Sequence, residues 1–218
     1  MLWYRFTNWF VKVTGAIPQL FLLRKKIYYE DKQTQDTHIK GSAIIFSNHR
    51  SIFDVAIMLF VFWRRTLRCL AAELMYEKSL PLTILIKSMG MIRVDRNSHD
   101  FSFVEKSCRV LEDGGIIEIY PEARIPKENE QTPLPFKSSV SYIALRSGAP
   151  LIPVYLHGNF ITDPIRIMVG TPIQARDLYD DQLSEAENLK QITEILRQKI
   201  IDLGQELQKQ IDHEKKQK

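Results

Sequence analysis

Cysteine is scarce in this chain of 218 residues, which holds only Cys69 and Cys108. Two thiols cannot staple a disulfide-dense scaffold. Neither belongs to a C-x-x-C pair or neighbours a histidine pair, so the usual marks of a metal site are missing. Both are expected to be buried, inert thiols of a reducing compartment. No apolar run reaches the roughly 20 residues that a membrane-crossing helix needs. A basic stretch followed by an apolar core and a small-residue cleavage site is also lacking, so no removable signal peptide is expected. Internal repeats and low-complexity tracts are absent, and the composition does not signal disorder. What remains is one catalytic-sized domain with a proper core.

The charge is mildly basic, +4 with a pI near 9.0. Its placement argues against nucleic acid. Arg24-Lys25-Lys26, Arg64-Arg65 and Arg68 lie directly against apolar or aromatic segments, a pattern suited to an anionic lipid surface. At the N-terminus Leu2, Trp3, Phe6, Trp9, Phe10, Val13 and Ile17 recur at steps of three and four, with Arg5, Asn8 and Lys12 elsewhere on the wheel. Such a helix is expected to lie in a membrane interface. A second apolar segment, Ile17 to Leu23, is short, broken by Pro18 and closed by the basic triplet. These features predict a peripheral, monotopic protein on the cytoplasmic face of a membrane, held by anionic lipids.

Tyr29 to Lys40 is polar and reads as a loop. Beyond it, apolar strands and amphipathic helices alternate. Strands are expected at Ala43–Ser47, Leu67–Ala72, Met91–Val94, Ile116–Tyr120, Leu151–Leu156 and Arg166–Val169. Helices are expected at Phe53–Trp63, Leu80–Met89, Phe101–Asp113 and Phe136–Arg146, with Ser79 and Asp100 as candidate caps. This alternation predicts an α/β fold, a mixed sheet flanked by helices with its active loops at strand ends. Near the C-terminus Leu189, Ile192, Leu196, Ile200, Leu203, Leu207 and Ile211 form a straight apolar stripe on one long helix, which should pack on the sheet or on a partner. The last residues, His213 to Lys218, should fray. The expected division is therefore 1–28 for interface helices, 29–180 for the α/β domain and 181–218 for the C-terminal helix.

The chemistry concentrates where the first of those strands ends, in Asn48-His49-Arg50-Ser51-Ile52-Phe53-Asp54. A histidine that takes a proton from an alcohol at neutral pH needs a carboxylate to fix its tautomer and stabilise the imidazolium. On one continuous helix a spacing of five would set His49 and Asp54 roughly 140° apart, so they meet only across a turn between strand and helix. Three further blocks follow at strand ends or strand starts: Gly90-Met91-Ile92-Arg93-Val94-Asp95-Arg96, Ile119-Tyr120-Pro121-Glu122-Ala123-Arg124 and Ala149-Pro150-Leu151-Ile152-Pro153-Val154.

In order and spacing these four blocks resemble those of the 1-acylglycerol-3-phosphate acyltransferase family, which carries N-H-x-x-x-x-D, G-x-I-x-V-D-R, F-P-E-G-T-R and V-P-I-V-P-V. The resemblance covers Asn48 to Val154, about half the chain. The third block departs from the pattern, because Ala123 alone separates Glu122 from Arg124 where the family has Gly and Thr. Glycine takes positive φ readily and lets a backbone approach a phosphate, which alanine does less easily. The departure leaves the acceptor head group open.

The resemblance implies a glycerolipid acyltransferase-like fold and transfer of a fatty acyl group from a thioester to an alcohol. His49 would be the general base and Asp54 its orienting partner, with Asn48 and backbone amides near the helix start helping the oxyanion. Arg96 and Arg124 would clamp the acceptor's phosphate, since a guanidinium binds it bidentately. Glu122 would hold a glycerol hydroxyl, orient an arginine or serve as a structural carboxylate, and Lys137 would add charge. No cofactor or metal is implied. The donor would be acyl-CoA or an acyl carrier protein thioester, and the acceptor a lysophospholipid. 1-Acylglycerol-3-phosphate leads, ahead of glycerol 3-phosphate, other lysophospholipids or a phosphate-free lysolipid. A non-catalytic lipid-binding surface protein is the reading of a different class.

Overall fold

The computed structural model describes residues 3–22, 24–31, 37–95, 101–158 and 164–216. Among the described residues seven strands form one sheet: β1 (Lys25–Tyr29), β2 (Ala43–Ser47), β3 (Leu67–Ala72), β4 (Ile92–Val94), β5 (Ile116–Ile119), β6 (Leu151–His157) and β7 (Ile165–Val169). Their spatial order is β1-β7-β6-β2-β5-β3-β4. Only β6 and β7 run antiparallel, and every other neighbouring pair is parallel. β2 at the centre is buried along its whole length, as a strand covered on both faces must be. Its residues alternate between two cores. Ile44 and Phe46 join one face with α4 (Ser102–Glu112), α5 (Ser139–Ser147) and α6 (Glu185–Lys216). Ala43 and Ile45 join the other, against α2 (Asp54–Val61).

The six strands expected from sequence are all present, with ends shifted by at most one residue, and so are the four internal helices. β1 is the strand that the sequence reading did not expect. Lys25 and Lys26, read from the sequence as part of a lipid-facing basic patch, also have a structural role. They open an edge strand that pairs with β7 from Lys25↔Ile165 to Tyr29↔Val169. A domain boundary at residue 28 therefore falls inside the sheet. Lys26 forms an ion pair with Glu214, and Tyr28 donates to the same carboxylate at 3.1 Å. Those bonds also hold the end of α6, which stays helical to Lys216 instead of fraying from His213.

α6 starts on a capping box. Ser184 Oγ receives the Glu187 N–H, while the Glu187 carboxylate takes the N–H and O–H of Ser184. The expected stripe faces inward: Ile192, Leu196, Ile200, Leu203, Leu207 and Ile211 are buried on β6, β7 and α5. Each such side chain contributes about 1.5–3 kcal/mol on burial.

The N-terminal segments expected as two pieces form a single helix, α1 (Trp3–Leu22), with Pro18 inside it. Its orientation is the reverse of an ordinary surface helix. Asn8 and Lys12 are buried, whereas Trp3, Phe6, Trp9, Phe10, Val13 and Ile17 are each 45–70% exposed. Asn8 Nδ2 donates to Met89 O at 3.0 Å. Lys12 Nζ donates to the carbonyls of Phe62, Trp63 and Arg65 just past the end of α2, at 3.2, 3.0 and 2.5 Å. A cation at a helix C-terminus satisfies orphan carbonyls and complements the dipole. Small residues permit the close approach: a Cβ on Gly15 would stand 2.6 Å from the Phe60 ring, and one on Gly90 2.9 Å from Tyr4. No helix among the described residues is long and apolar enough to cross a membrane.

Candidate active site

The chain leaves β2 at Ser47 with the sheet still holding it. Asn48 is buried, and its side chain acts as one more rung of pairing to β6. Nδ2 donates to Leu156 O at 3.0 Å, and Leu156 N donates to Oδ1 at 2.8 Å. The amide thus fixes the start of the loop and is already engaged at both ends. An oxyanion role was expected for it, and both of its polar atoms bond instead to the Leu156 backbone.

His49 follows, and the turn required by its spacing is present. His49 Nδ1 lies 2.9 Å from Asp54 Oδ2, with Asp54 buried in the first turn of α2. The same oxygen accepts the backbone N–H groups of Arg50 at 2.6 Å and Ser51 at 2.8 Å. Three donors on one carboxylate oxygen hold it rigidly, and an ionised carboxylate accepts only, so the imidazole carries its proton on Nδ1. Nε2 is left as the basic nitrogen. Because Asp54 occupies the amides of Arg50 and Ser51, those two are not available to an oxyanion either.

Glu122, at the end of β5, is 4% exposed and bridges two loops. Oε1 accepts the His49 N–H at 2.8 Å and Oε2 the Leu134 N–H at 2.7 Å. Burial raises its pKa, while these two amides and the nearby His49 and Arg197 oppose the shift. Of the roles open to Glu122, the structure displays the structural one, with backbone amides rather than an arginine as partners. Arg197 of α6 secures the far loop by donating to Leu134 O and Pro133 O at 3.3 and 3.0 Å.

Two residues that sequence reasoning missed complete the setting. The Tyr120 ring stacks on His49 with centroids 4.3 Å apart and planes at 27°. Its hydroxyl donates to Glu118 Oε1. Glu118 is wholly buried on β5, and burial first of all pushes its carboxyl up to about 8, with the charge of Asp54 adding to the effect and the Tyr120 bond opposing it. Glu118 Oε2 has no hydrogen-bond partner among the described residues. The signal was a lone acid in the apolar run Ile116-Ile117-Glu118-Ile119, two residues before the Tyr120-Pro121-Glu122 block.

Of the expected phosphate ligands, two fall within the described residues. Arg124 is an exposed guanidinium that makes a bidentate pair with Glu130 at 2.5 and 2.7 Å. Lys137 is exposed, and its backbone N–H donates to Pro121 O at 2.8 Å. Arg96 and the candidate cap Asp100 lie outside the described residues. Ala123 does adopt positive φ, at 60°, so the loop keeps a left-handed turn although glycine is absent there. Among the described residues no group of three His, Cys, Asp or Glu side chains converges as a metal site. Both cysteines are buried, and desolvation raises both thiols.

A buried parallel strand that ends in a carboxylate-held imidazole defines an α/β protein built around an oriented base. A family model described as Acyltransferase matches residues 25–157, from the first residue of β1 to the last of β6, and the chain belongs to that family. It is 27% identical over 128 residues to a 1-acyl-sn-glycerol-3-phosphate acyltransferase of Bacillus subtilis, covering 56% of this chain and 61% of that one. It is 23% identical over 188 residues to a protein of the same name from Cocos nucifera, covering 81% and 59%. The chain thus spans about three-fifths of the length of these curated relatives. A crystal structure of the 1-acyl-sn-glycerophosphate acyltransferase PlsC from Thermotoga maritima has the same fold, with a TM-score of 0.65 at 18% identity over 92% of this chain and 81% of that one.

Proposed function

We propose that the protein transfers a fatty acyl group from a thioester to the free hydroxyl of 1-acylglycerol-3-phosphate, giving phosphatidate. The observation that carries this is the His49–Asp54 contact at 2.9 Å, which leaves Nε2 as a base for a substrate alcohol. Nε2 removes the hydroxyl proton as the oxygen bonds to the thioester carbonyl carbon. Collapse of the tetrahedral intermediate breaks the C–S bond, and the imidazolium returns the proton to the leaving thiolate. Asp54 stabilises the imidazolium in between. The names of the two relatives support the acceptor. Acyl-CoA and acyl carrier protein both fit the donor role.

One observation favours a second acceptor class. Arg124 spends its bidentate fork on Glu130, so a phosphate must displace that carboxylate before the arginine can clamp it. If it stays paired, a lysolipid without phosphate serves equally well. Membrane association at the cytoplasmic face belongs to the same proposal. It rests on the outward aromatic face of α1 and on exposed Leu80, Ile84 and Leu85 of α3 (Leu80–Ser88), which packs against α1.

The test is purified protein with both donors and labelled lysophosphatidate, glycerol 3-phosphate, lysophosphatidylcholine and monoacylglycerol. Lysophosphatidate should be acylated fastest. His49→Ala should lower the rate by roughly 10²–10⁴. Asp54→Asn should lose much of it, and the double variant should be little worse than His49→Ala because the two act as a unit. Transfer that survives His49→Ala near the wild-type rate, in protein free of host enzyme, refutes the mechanism. Equal rates with and without acceptor phosphate refute the assignment of Arg124.

A further inference from the structure

At the end of the sheet away from His49, a cavity of about 540 Å³ is lined by four arginines, Arg5, Arg64, Arg65 and Arg68, and by the acid Asp113. Arg68 and Ile116 mark the starts of β3 and β5, whereas His49 and Tyr120 follow the ends of β2 and β5. These strands are parallel, so the four residue steps from Ile116 to Tyr120 alone separate the two places by about 13 Å. The cavity is distinct from the acyl-transfer site.

Neutral groups hold three of its arginines. Arg65 donates to Ile39 O at 2.5 Å and to Gly114 O at 2.7 Å. Arg68 donates from Nε to Gly90 O at 2.6 Å and lies over the Tyr4 ring at 5.1 Å. Arg64 contacts His38 Nδ1 at 2.9 Å. Among the described residues none of the four forms an ion pair with a carboxylate. A guanidinium has five N–H donors and these bonds take one or two, so most remain for an oxyanion. Four like charges lining one concavity, with Asp113 as the acid among them, repel one another unless an anion sits between them.

We propose that this cavity binds the phosphate of an anionic lipid head group, as a site separate from the acceptor's. It rests on the reading that α1 lies in a membrane interface. Arg5 belongs to α1, and exposed Trp9 stands one turn on from it, on the same side of the helix. Exposed Trp63 immediately precedes Arg64. Indoles beside arginines at the head-group level are the composition of an interfacial anchor, and each arginine near an anionic surface strengthens attachment severalfold.

The test uses the full chain with vesicles of phosphatidylcholine, alone or with a minority of phosphatidylglycerol, read by cosedimentation and tryptophan fluorescence. Wild type should prefer the phosphatidylglycerol vesicles. Arg5→Gln with Arg64→Gln should weaken binding to them roughly thirtyfold, with little change on the neutral ones. Arg68→Lys keeps the charge but loses the fork, and should fall between. Water-soluble dihexanoyl phosphatidylglycerol should compete, and inorganic phosphate much less. Equal competition by inorganic phosphate overturns the head-group assignment in favour of a free phosphate. Variants that bind phosphatidylglycerol vesicles like wild type overturn the site but leave the interface reading standing. A wild type that binds neither vesicle, yet binds dihexanoyl phosphatidylglycerol in a way the double variant does not, overturns the interface reading and supports the site. Loss of binding to acyl carrier protein in the variants, with vesicle binding unchanged, overturns the lipid assignment.

Discussion

The two long helices, α1 and α6, have comparable amphipathic patterns and opposite placements. α6 lays its aliphatic stripe on β6, β7 and α5 and turns its charges outward. α1 buries Asn8 and Lys12 and turns its aromatic stripe outward. Periodicity reports that a helix has two unlike faces, but the side that meets the protein is decided by what the protein offers there. Behind α6 lies an apolar sheet face. Behind α1 lie the backbone carbonyls past the end of α2, which an ammonium meets better than a hydrocarbon does. The aromatic face of α1 is then left over, and a lipid surface is the reading that uses it.

The comparison breaks most sharply on α6. Leu196 is fully buried in the larger core, and Leu196→Ala should cost about 2–5 kcal/mol, read by urea or thermal unfolding, through lost transfer energy and the cavity left behind. A cost below 1 kcal/mol would mean that the stripe is no more a core element than the outer face of α1.

Lys12→Met comes next, because it removes the donor that docks α1. Leaving the buried or half-buried carbonyls of Phe62, Trp63 and Arg65 short of a partner should cost about 1–3 kcal/mol. The pH profile supplies a second readout. Burial lowers the Lys12 pKa from 10.5 to about 8, so between those values the unfolded chain binds more protons than the folded one. Wild-type stability should therefore gain a rising contribution as pH climbs from about 8 to 10.5, and the Met variant should lack it. Parallel profiles for the two proteins would show that Lys12 is not buried in solution.

The same contrast marks what was legible in the sequence. Strands such as β2 and β5 declare themselves as short apolar runs, and the cluster of Asn48, His49, Asp54 and Glu122 was visible through the resemblance of its blocks to those of the acyltransferase family. β1 was not, since Lys25-Lys26-Ile27-Tyr28-Tyr29 alternates weakly and carries lysines, as edge strands do. Individual roles were less legible than membership. The Asn48 amide and the Glu122 carboxylate serve backbone groups of Leu156 and Leu134, 108 and 12 residues away, which are brought near by strand pairing and loop packing. Tyr120 and Glu118 depend on β5 lying beside β2, where Glu118 pairs in register with Ile45. Arg124 met an acid six residues on, which no motif foretells.

The smallest effect on stability should come from the outer face of α1, and it is the most informative. Trp9 and Phe10 are more than half exposed, so replacing both with serine removes little packing and should leave unfolding within about 0.5 kcal/mol of wild type. Deleting α1 would be a poorer probe, because it also strips Asn8 and Lys12 from the body. The paired serine substitution isolates the face: catalysis on a water-soluble short-chain acceptor should hold, while sedimentation with vesicles should fall. The aromatic contribution should persist in high salt, where the arginine contribution is screened. Unchanged sedimentation in both low and high salt would show that the exposed stripe of α1 does not meet the bilayer, and the contrast with α6 would then need another partner to explain it.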